Sequence, residues 1–196
     1  MVFAPPPCIE FDVESQKMKF IATTVSGAFV VELDLVGDER GFFARTFSRE
    51  EFTRRGLDAE FAECSISLNR RRGTLRGMHY QDKPHEETKL VRCTSGSIFD
   101  VVLDLRSHSS SYRQWSATEL TAANRKMVYV PKGVAHGFLT LSDSAEVFYQ
   151  ISHPYVPEAG RGVRWNDSSF GIRWPEEVRV ISARDRDWPL HIDVRP

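Results

Sequence analysis

The sequence has little that would brace it covalently. Its 196 residues include three cysteines, Cys8, Cys64 and Cys93, far apart and with no C-x-x-C spacing. An odd, scattered set argues against a disulfide framework and against a zinc ribbon. It fits a reducing cytoplasm, with each thiol read as a small buried hydrophobe. Charge of one sign is also missing. Lys and Arg number 26 against 27 Asp and Glu, a formal net charge of −1, so no global field draws the chain to nucleic acid or to an anionic membrane. No apolar run approaches the ~18 residues of a membrane span. The opening MVFAPPPC lacks the basic start and apolar core of a signal peptide. There is no internal repeat, and no low-complexity stretch beyond Pro5-Pro6-Pro7. What remains, 41% hydrophobic and 27% charged residues, is the mix of a soluble globular protein. The length suits one domain, able to bury roughly 70% of the surface its unfolded chain exposes. Residues 1–16 read as an extended arm and residues 17–196 as a single domain.

Short strand-like segments dominate. Phe29–Leu35 begins apolar and then alternates, as expected of a strand with one half-exposed face. Lys89–Cys93 and Ile98–Leu105 flank Thr94-Ser95-Gly96-Ser97, which reads as a hairpin. Phe138–Leu141 and Ala145–Ser152 flank Ser142-Asp143-Ser144, a second hairpin by the same reasoning. Met127–Val130 is a further strand, stopped by Pro131. One helix is well signalled: Ser48 as N-cap, Glu51 as its capping-box partner, Gly56 as terminator. Trp174-Pro175-Glu176-Glu177 offers a start for another short helical turn. The pattern predicts an all-β sandwich or barrel.

Three segments concentrate chemistry. In Gly73-Thr74-Leu75-Arg76-Gly77-Met78-His79-Tyr80-Gln81, strand alternation puts Leu75, Gly77, His79 and Gln81 on one face and Arg76, Met78 and Tyr80 on the other. His79 is then either a hydrogen-bonded core histidine or a group looking onto a face opened by Gly77. In Pro131-Lys132-Gly133-Val134-Ala135-His136-Gly137-Phe138, a turn delivers a histidine beside a glycine that permits close approach. This P-x-G-x-x-H pattern resembles the second half of the cupin signature. The H-x-H pair of metal-binding cupins is replaced by His79-Tyr80-Gln81, although His85, Glu86 and Glu87 lie near enough in sequence to leave a three-ligand metal site open. The third segment runs from Arg164-Trp165-Asn166-Asp167 through Gly171–Pro175 to Ser182-Ala183-Arg184-Asp185. Its tryptophans read as core and loop anchors, and Asp185 in isolation as a surface aspartate. The run Arg70-Arg71-Arg72 reads as a solvated turn, with steering of an anionic ligand as the alternative.

Taken together, Asp38–Phe43, Gly73–Gln81, Lys89–Cys93, Asp100–Arg106, Pro131–Phe138, Tyr149, Tyr155, Trp165-Asn166-Asp167 and Ser182–Asp185 resemble, in order, the dTDP-4-dehydrorhamnose 3,5-epimerase family of nucleotide-sugar enzymes. The resemblance spans residues 37–188. It implies a cupin-type jelly-roll β-barrel with short peripheral helices, a homodimer with amino-terminal strands crossing between subunits, and no metal or organic cofactor. It matches His79 to the base, Asp185 to the carboxylate that orients it, Tyr149 to the acid on the opposite face, and Lys89 to the cation beside the sugar O4. By the same resemblance Arg40, Arg76 and His136 lie near the sugar or pyrophosphate, and Phe43 and Tyr155 sandwich the base.

Three positions depart from the family's pattern. Arg45 stands where glutamate is usual, Glu63 where glutamine is, and Ser65 where asparagine is. Glutamate could accept from a cytosine or guanine amino group, so a CDP- or GDP-linked substrate is one expectation; an Arg45–Glu63 ion pair is the other. A single-centre epimerase is a further alternative to inversion at both C3 and C5. The different-chemistry alternative is a metal-dependent cupin.

Overall fold

A computed structural model describes residues 17–191, so the expected arm at 1–16 and Cys8 lie outside the described residues. In chain order the elements are β1 (Lys19–Ala22), β2 (Phe29–Glu32), β3 (Val36–Asp38), β4 (Gly41–Phe43), α1 (Arg49–Arg54), β5 (Glu63–Asn69), β6 (Thr74–Gln81), β7 (Lys89–Ser95) and β8 (Ser97–Asp104). They continue with β9 (Trp115–Thr121), β10 (Met127–Val130), β11 (Val134–Thr140), β12 (Ala145–Ile151), β13 (Gly160–Gly162), β14 (Val180–Ile181) and α2 (Ala183–Arg186). One sheet has the order β1-β2-β10-β7-β12-β5; the other has β13-β6-β11-β8-β9, with β14 alongside β6. The all-β, jelly-roll expectation holds. Among the described residues no ladder joins the sheets, so they form an open sandwich and not a closed barrel. No described helix is long and apolar enough to cross a membrane.

Alternation explains the layering. Val91, Cys93, Val128, Val130 and Val147 from the first sheet meet Ile98, Val102, Val134 and Phe138 from the second, forming the core between them. The intervening residues Leu90, Met127 and Tyr129 point the other way and pack under α1, around the fully buried Phe52. The second sheet's outer face is covered by the carboxy-terminal segment, where Val163, Phe170 and Trp174 pack on Met78, Val101 and Leu103. Trp174 also donates its Nε1–H to the Trp165 carbonyl at 3.0 Å, so the tryptophans anchor core and loop as expected.

Both expected hairpins are corrected. β7 pairs with β10 and β12, while β8 pairs with β9 and β11, so the turn at Gly96 carries the chain from one sheet to the other. The link from β11 to β12 does the same. These two corners lock together: the Ser97 N–H donates to Ser142 Oγ at 2.9 Å, and a side chain at Gly96 would collide with that hydroxyl. Strand β2 stops at Glu32, short of Leu35. Pro175-Glu176 is a bend and starts no helix. Ser48 caps α1 as expected, accepting from the Glu51 N–H at 3.4 Å. Arg72 pairs with Glu176, keeping the arginine run in an exposed turn. Cys93 is buried and its thiol is pushed up to about 11 by burial, whereas Cys64 lies exposed on edge strand β5, contrary to the buried reading.

Candidate active site

The site is built on an irregularity in β6. His79 stands opposite His136, and Arg76 opposite Phe138, so Gly77 and Met78 together face the single residue Gly137. That bulge cancels the alternation between Arg76 and His79. Both therefore lie on the sheet face that carries Phe138 and His136, Arg76 exposed and His79 half-buried, and the expected placement of Arg76 on the opposite face is corrected. Two glycines allow it: at Gly77, φ is +135°, and an added Cβ would lie 2.5 Å from Gly137 Cα. The glycine beside His136 thus serves close approach of strands.

His79 Nε2 lies 2.7 Å from Asp185 Oδ1, with the histidine side chain 41% exposed and the aspartate 7%. Asp185 is not a surface residue. Ser182 caps α2 by accepting from the Asp185 N–H, and Asp185 Oδ2 accepts from the Gly77 N–H at 3.2 Å. Burial pushes the Asp185 carboxyl upward. The His79 hydrogen bond and charge, the Gly77 N–H and the Ser182 side chain outweigh it and leave the net direction below the ordinary carboxylate value. An ionised carboxylate can only accept, so His79 Nε2 carries the proton and Nδ1 keeps the lone pair.

His79 and Lys89 open onto one cavity of about 250 Å³ between the two sheets, with Glu63, Glu87 and Tyr155 also in its wall. Lys89 Nζ is 2.9 Å from Glu87 Oε1 and approaches the His79 carbonyl at 3.5 Å. A larger cavity of about 640 Å³ shares Tyr80, Gln81 and Arg161 with this wall but contains none of His79, Lys89, Tyr149 and Asp185. Tyr149 lies deeper, two residues before the cavity-lining Ile151 on the same face of β12. Burial drives its hydroxyl well above the ordinary tyrosine range, with Asp100 adding to the rise and Ser67 and Arg76 opposing it. His136 Nε2 lies 2.8 Å from Asp100 Oδ2, both buried, and Arg76 donates Nε–H to Asn69 Oδ1 at 2.7 Å.

Residues 22–193 match the family model described as dTDP-4-dehydrorhamnose 3,5-epimerase. The chain belongs to the dTDP-4-dehydrorhamnose 3,5-epimerase family. A protein of that name from Methanothermobacter thermautotrophicus is 42% identical over 176 residues, 88% of this chain and 94% of the relative. The crystal structure of the Bacillus anthracis dTDP-4-dehydrorhamnose 3,5-epimerase with TDP and PPi bound superposes with a TM-score of 0.85 at 37% identity, covering 89% of this chain and 100% of that one. A 3′-monoepimerase from Streptomyces bikiniensis in complex with dTDP-quinovose gives 0.79 at 31% identity, covering 86% and 85%.

Within this epimerase-family chain the remaining expected residues divide. Glu63 and Tyr155 line the cavity, and Ser65, opposite Tyr149, shares its face. Arg40, Phe43 and Arg45 are not brought to it: the first two lie on the separate β3–β4 hairpin, where Arg40 pairs with Asp38 and Phe43 is 56% exposed. No ion pair joins Arg45 to Glu63 among the described residues, so that expectation fails within one chain. Nor is any group of three or more His, Cys, Asp or Glu side chains there arranged to hold a metal; His79 and His136 are each tied to an aspartate. Sequence reasoning missed three members of the site. Glu87, which its place in the sequence offers only to a metal, pairs with Lys89 instead. Arg184 lines the cavity and donates to Tyr155 Oη at 3.1 Å, and Trp188 stacks edge-on to His79 at 6.4 Å. The available signal was the spacing of Arg184 and Trp188 around Asp185.

Proposed function

We propose that the chain epimerises a dTDP-linked 4-keto-6-deoxy sugar, inverting C3 and C5 through enolates. The observation that carries the reading is the His79–Asp185 pair at 2.7 Å sharing one small cavity with the Lys89 ammonium, in a chain whose relatives are named for this reaction. A ketone at C4 acidifies the hydrogens on both neighbouring carbons. The reaction then needs a base, a group to stabilise the enolate oxygen, and an acid on the opposite face. His79 Nδ1 takes the proton and Asp185 stabilises the resulting imidazolium. Lys89 meets the charge on O4 as a point cation. Tyr149, which burial keeps protonated, returns a proton from the other face.

At about 250 Å³ the cavity falls below the ~300–1,000 Å³ of pockets that enclose a whole drug-sized ligand, so it encloses the sugar and only part of the nucleotide. Arg76 suits the diphosphate and Tyr155 the base. Arg40, Phe43 and Arg45 do not line the cavity of their own chain, which supports a homodimer whose partner hairpin reaches the nucleotide. The exposed apolar residues Phe42, Phe43, Ile66 and Leu68 fit such a contact. The free thiols of Cys64 and Cys93 suit a cytoplasmic enzyme of deoxysugar or polysaccharide biosynthesis.

Proton NMR of dTDP-4-keto-6-deoxyglucose with the protein in D2O tests the reading. Deuterium at both C3 and C5 is expected; deuterium at C3 alone makes it a monoepimerase, and none at either carbon removes the activity.

A further inference from the structure

The Lys89 ammonium has a partner that the reaction so far leaves unexplained. Glu87 Oε1 lies 2.9 Å from Lys89 Nζ, and the two side chains are only 6% and 12% exposed. Such burial is costly, because the attraction between the charges seldom more than offsets their lost hydration. Glu87 adds to that cost with a second oxygen, Oε2, that is buried and has no hydrogen-bond partner. This stretch of chain also has backbone anchors of its own. Thr88, between the two residues, already donates its N–H to Ser152 Oγ at 2.8 Å and accepts from the Ser152 N–H at 3.0 Å. A position serving packing alone would be more stable with an apolar side chain.

We propose that Glu87 is a positioning residue for the epimerisation, acting through Lys89 to hold the ammonium fixed at the wall where negative charge develops on the sugar oxygen. The inference rests on the epimerase reading of this site. Each cation that the reaction needs has its own buried carboxylate: His79, charged once it has taken a proton, has Asp185, and Lys89 has Glu87. Without the second pair, a newly formed imidazolium would push the ammonium away across the same poorly solvated cavity. Glu87 and the His79 carbonyl together also hold a flexible four-carbon side chain in one place. The other charged or titratable groups of the cavity wall are Glu63 on β5, Tyr80 on β6, His153 after β12, Tyr155, Arg161 on β13 and Arg184 on α2. Arg161 is paired with Asp82, and Arg184 donates to Tyr155. Glu63 is exposed, which leaves Glu87 as the buried anion against Lys89.

Glu87→Gln keeps the shape and removes the charge. Two readouts compare it with the wild-type protein, after a thermal melt to check folding. The first is the rate of Lys89 acetylation by acetic anhydride on the free protein, read by peptide mass spectrometry. The second is the kinetics of deuterium exchange into dTDP-4-keto-6-deoxyglucose. Acetylation is expected to rise about threefold or more, because an amine no longer held against a carboxylate is freer to meet the reagent. The kcat is expected to fall about tenfold or more with KM within about threefold, the mark of an interaction made in the transition state. Glu87→Asp, which keeps the charge, recovers part of kcat. Unchanged acetylation overturns the proposal, as does a loss that falls on KM with kcat intact. Acetylation needs no substrate, so it decides the pairing even if no sugar exchanges with the wild-type protein, a result that would instead overturn the epimerase reading.

Discussion

His79 and His136 stand directly opposite each other on the β6–β11 ladder, and each shares an Nε2 hydrogen bond with an aspartate, Asp185 at 2.7 Å and Asp100 at 2.8 Å. The two dyads differ in access. The His79 side chain is 41% exposed and opens into the cavity, whereas that of His136 is 5% exposed and sits edge-on to the Tyr149 ring at 6.3 Å. Of the two, His79 is the one that lines the cavity. The second holds fixed geometry behind it.

Asp185→Asn tests what the exposed dyad needs. An amide can orient the imidazole but cannot stabilise it as a cation. The variant is expected to lose about 100-fold or more in kcat, with dTDP affinity by calorimetry within a few-fold of wild type. An acid titration gives a second signature. The Asp185 carboxyl sits below its ordinary value in the fold: burial raises it, and the His79, Gly77 and Ser182 contacts more than reverse that. Its charge therefore stabilises the fold fully above the unfolded carboxylate range of about 3.9 and loses that contribution as pH falls through the lower folded value. Urea melts between neutral pH and about pH 3 should show a shallower acid decline for Asp185→Asn; identical slopes would mean that Asp185 is not held ionised.

Tyr149→Phe separates abstraction from return. Burial and the Asp100 charge keep this hydroxyl protonated, as an acid requires. With His79 untouched, the variant should still wash deuterium into the substrate at a reduced rate while net inversion falls about 100-fold or more. Equal loss of both would assign Tyr149 to the architecture of the cavity and not to proton return.

How much of this was legible in the sequence depended on whether the signal was local. The Ser48 cap and the anchoring of Trp174 on Trp165 rest on neighbours in the chain, and both expectations agree with the fold. The turns at Gly96 and at Ser142–Ser144 were read as hairpins because a corner between sheets uses the same glycine and serine chemistry. Only distant pairing, of β7 with β12 and β8 with β11, distinguishes the two. Alternation failed at Gly77-Met78 for a related reason: the bulge is set by contact with Gly137, sixty residues away. Asp185 looked like a surface residue because the strand it leans on lies more than a hundred positions earlier. Arg40 and Phe43 matched the family's motif but lie away from this chain's own cavity.

Glycine at 77 is a steric requirement of that bulge. Gly77→Ala would put a methyl 2.5 Å from Gly137 Cα at φ +135°, where neither backbone can yield without moving a strand. The expected loss is about 2 kcal/mol or more in a urea melt. Because the bulge is what turns Arg76 and His79 to the same face, exchange activity should fall further than the folded fraction does. Activity that tracks the folded fraction would mean that the site tolerates a relaxed β6.

The nucleobase preference can be decided at Glu63. Its carboxylate lines the cavity wall with no ion pair to Arg45 in its own chain, so it is free to face either a base or a partner subunit. Relatives and solved neighbours named for dTDP sugars favour thymine. Thymine offers a carboxylate one ring N–H between two repelling carbonyls, whereas cytosine offers an amino group. Calorimetry should therefore rank dTDP above CDP and GDP by about tenfold or more, and Glu63→Gln, which can donate to a thymine carbonyl, should leave dTDP affinity unchanged or raise it. A preference for CDP that disappears in Glu63→Gln would place the glutamate against a cytosine amino group and reassign the substrate.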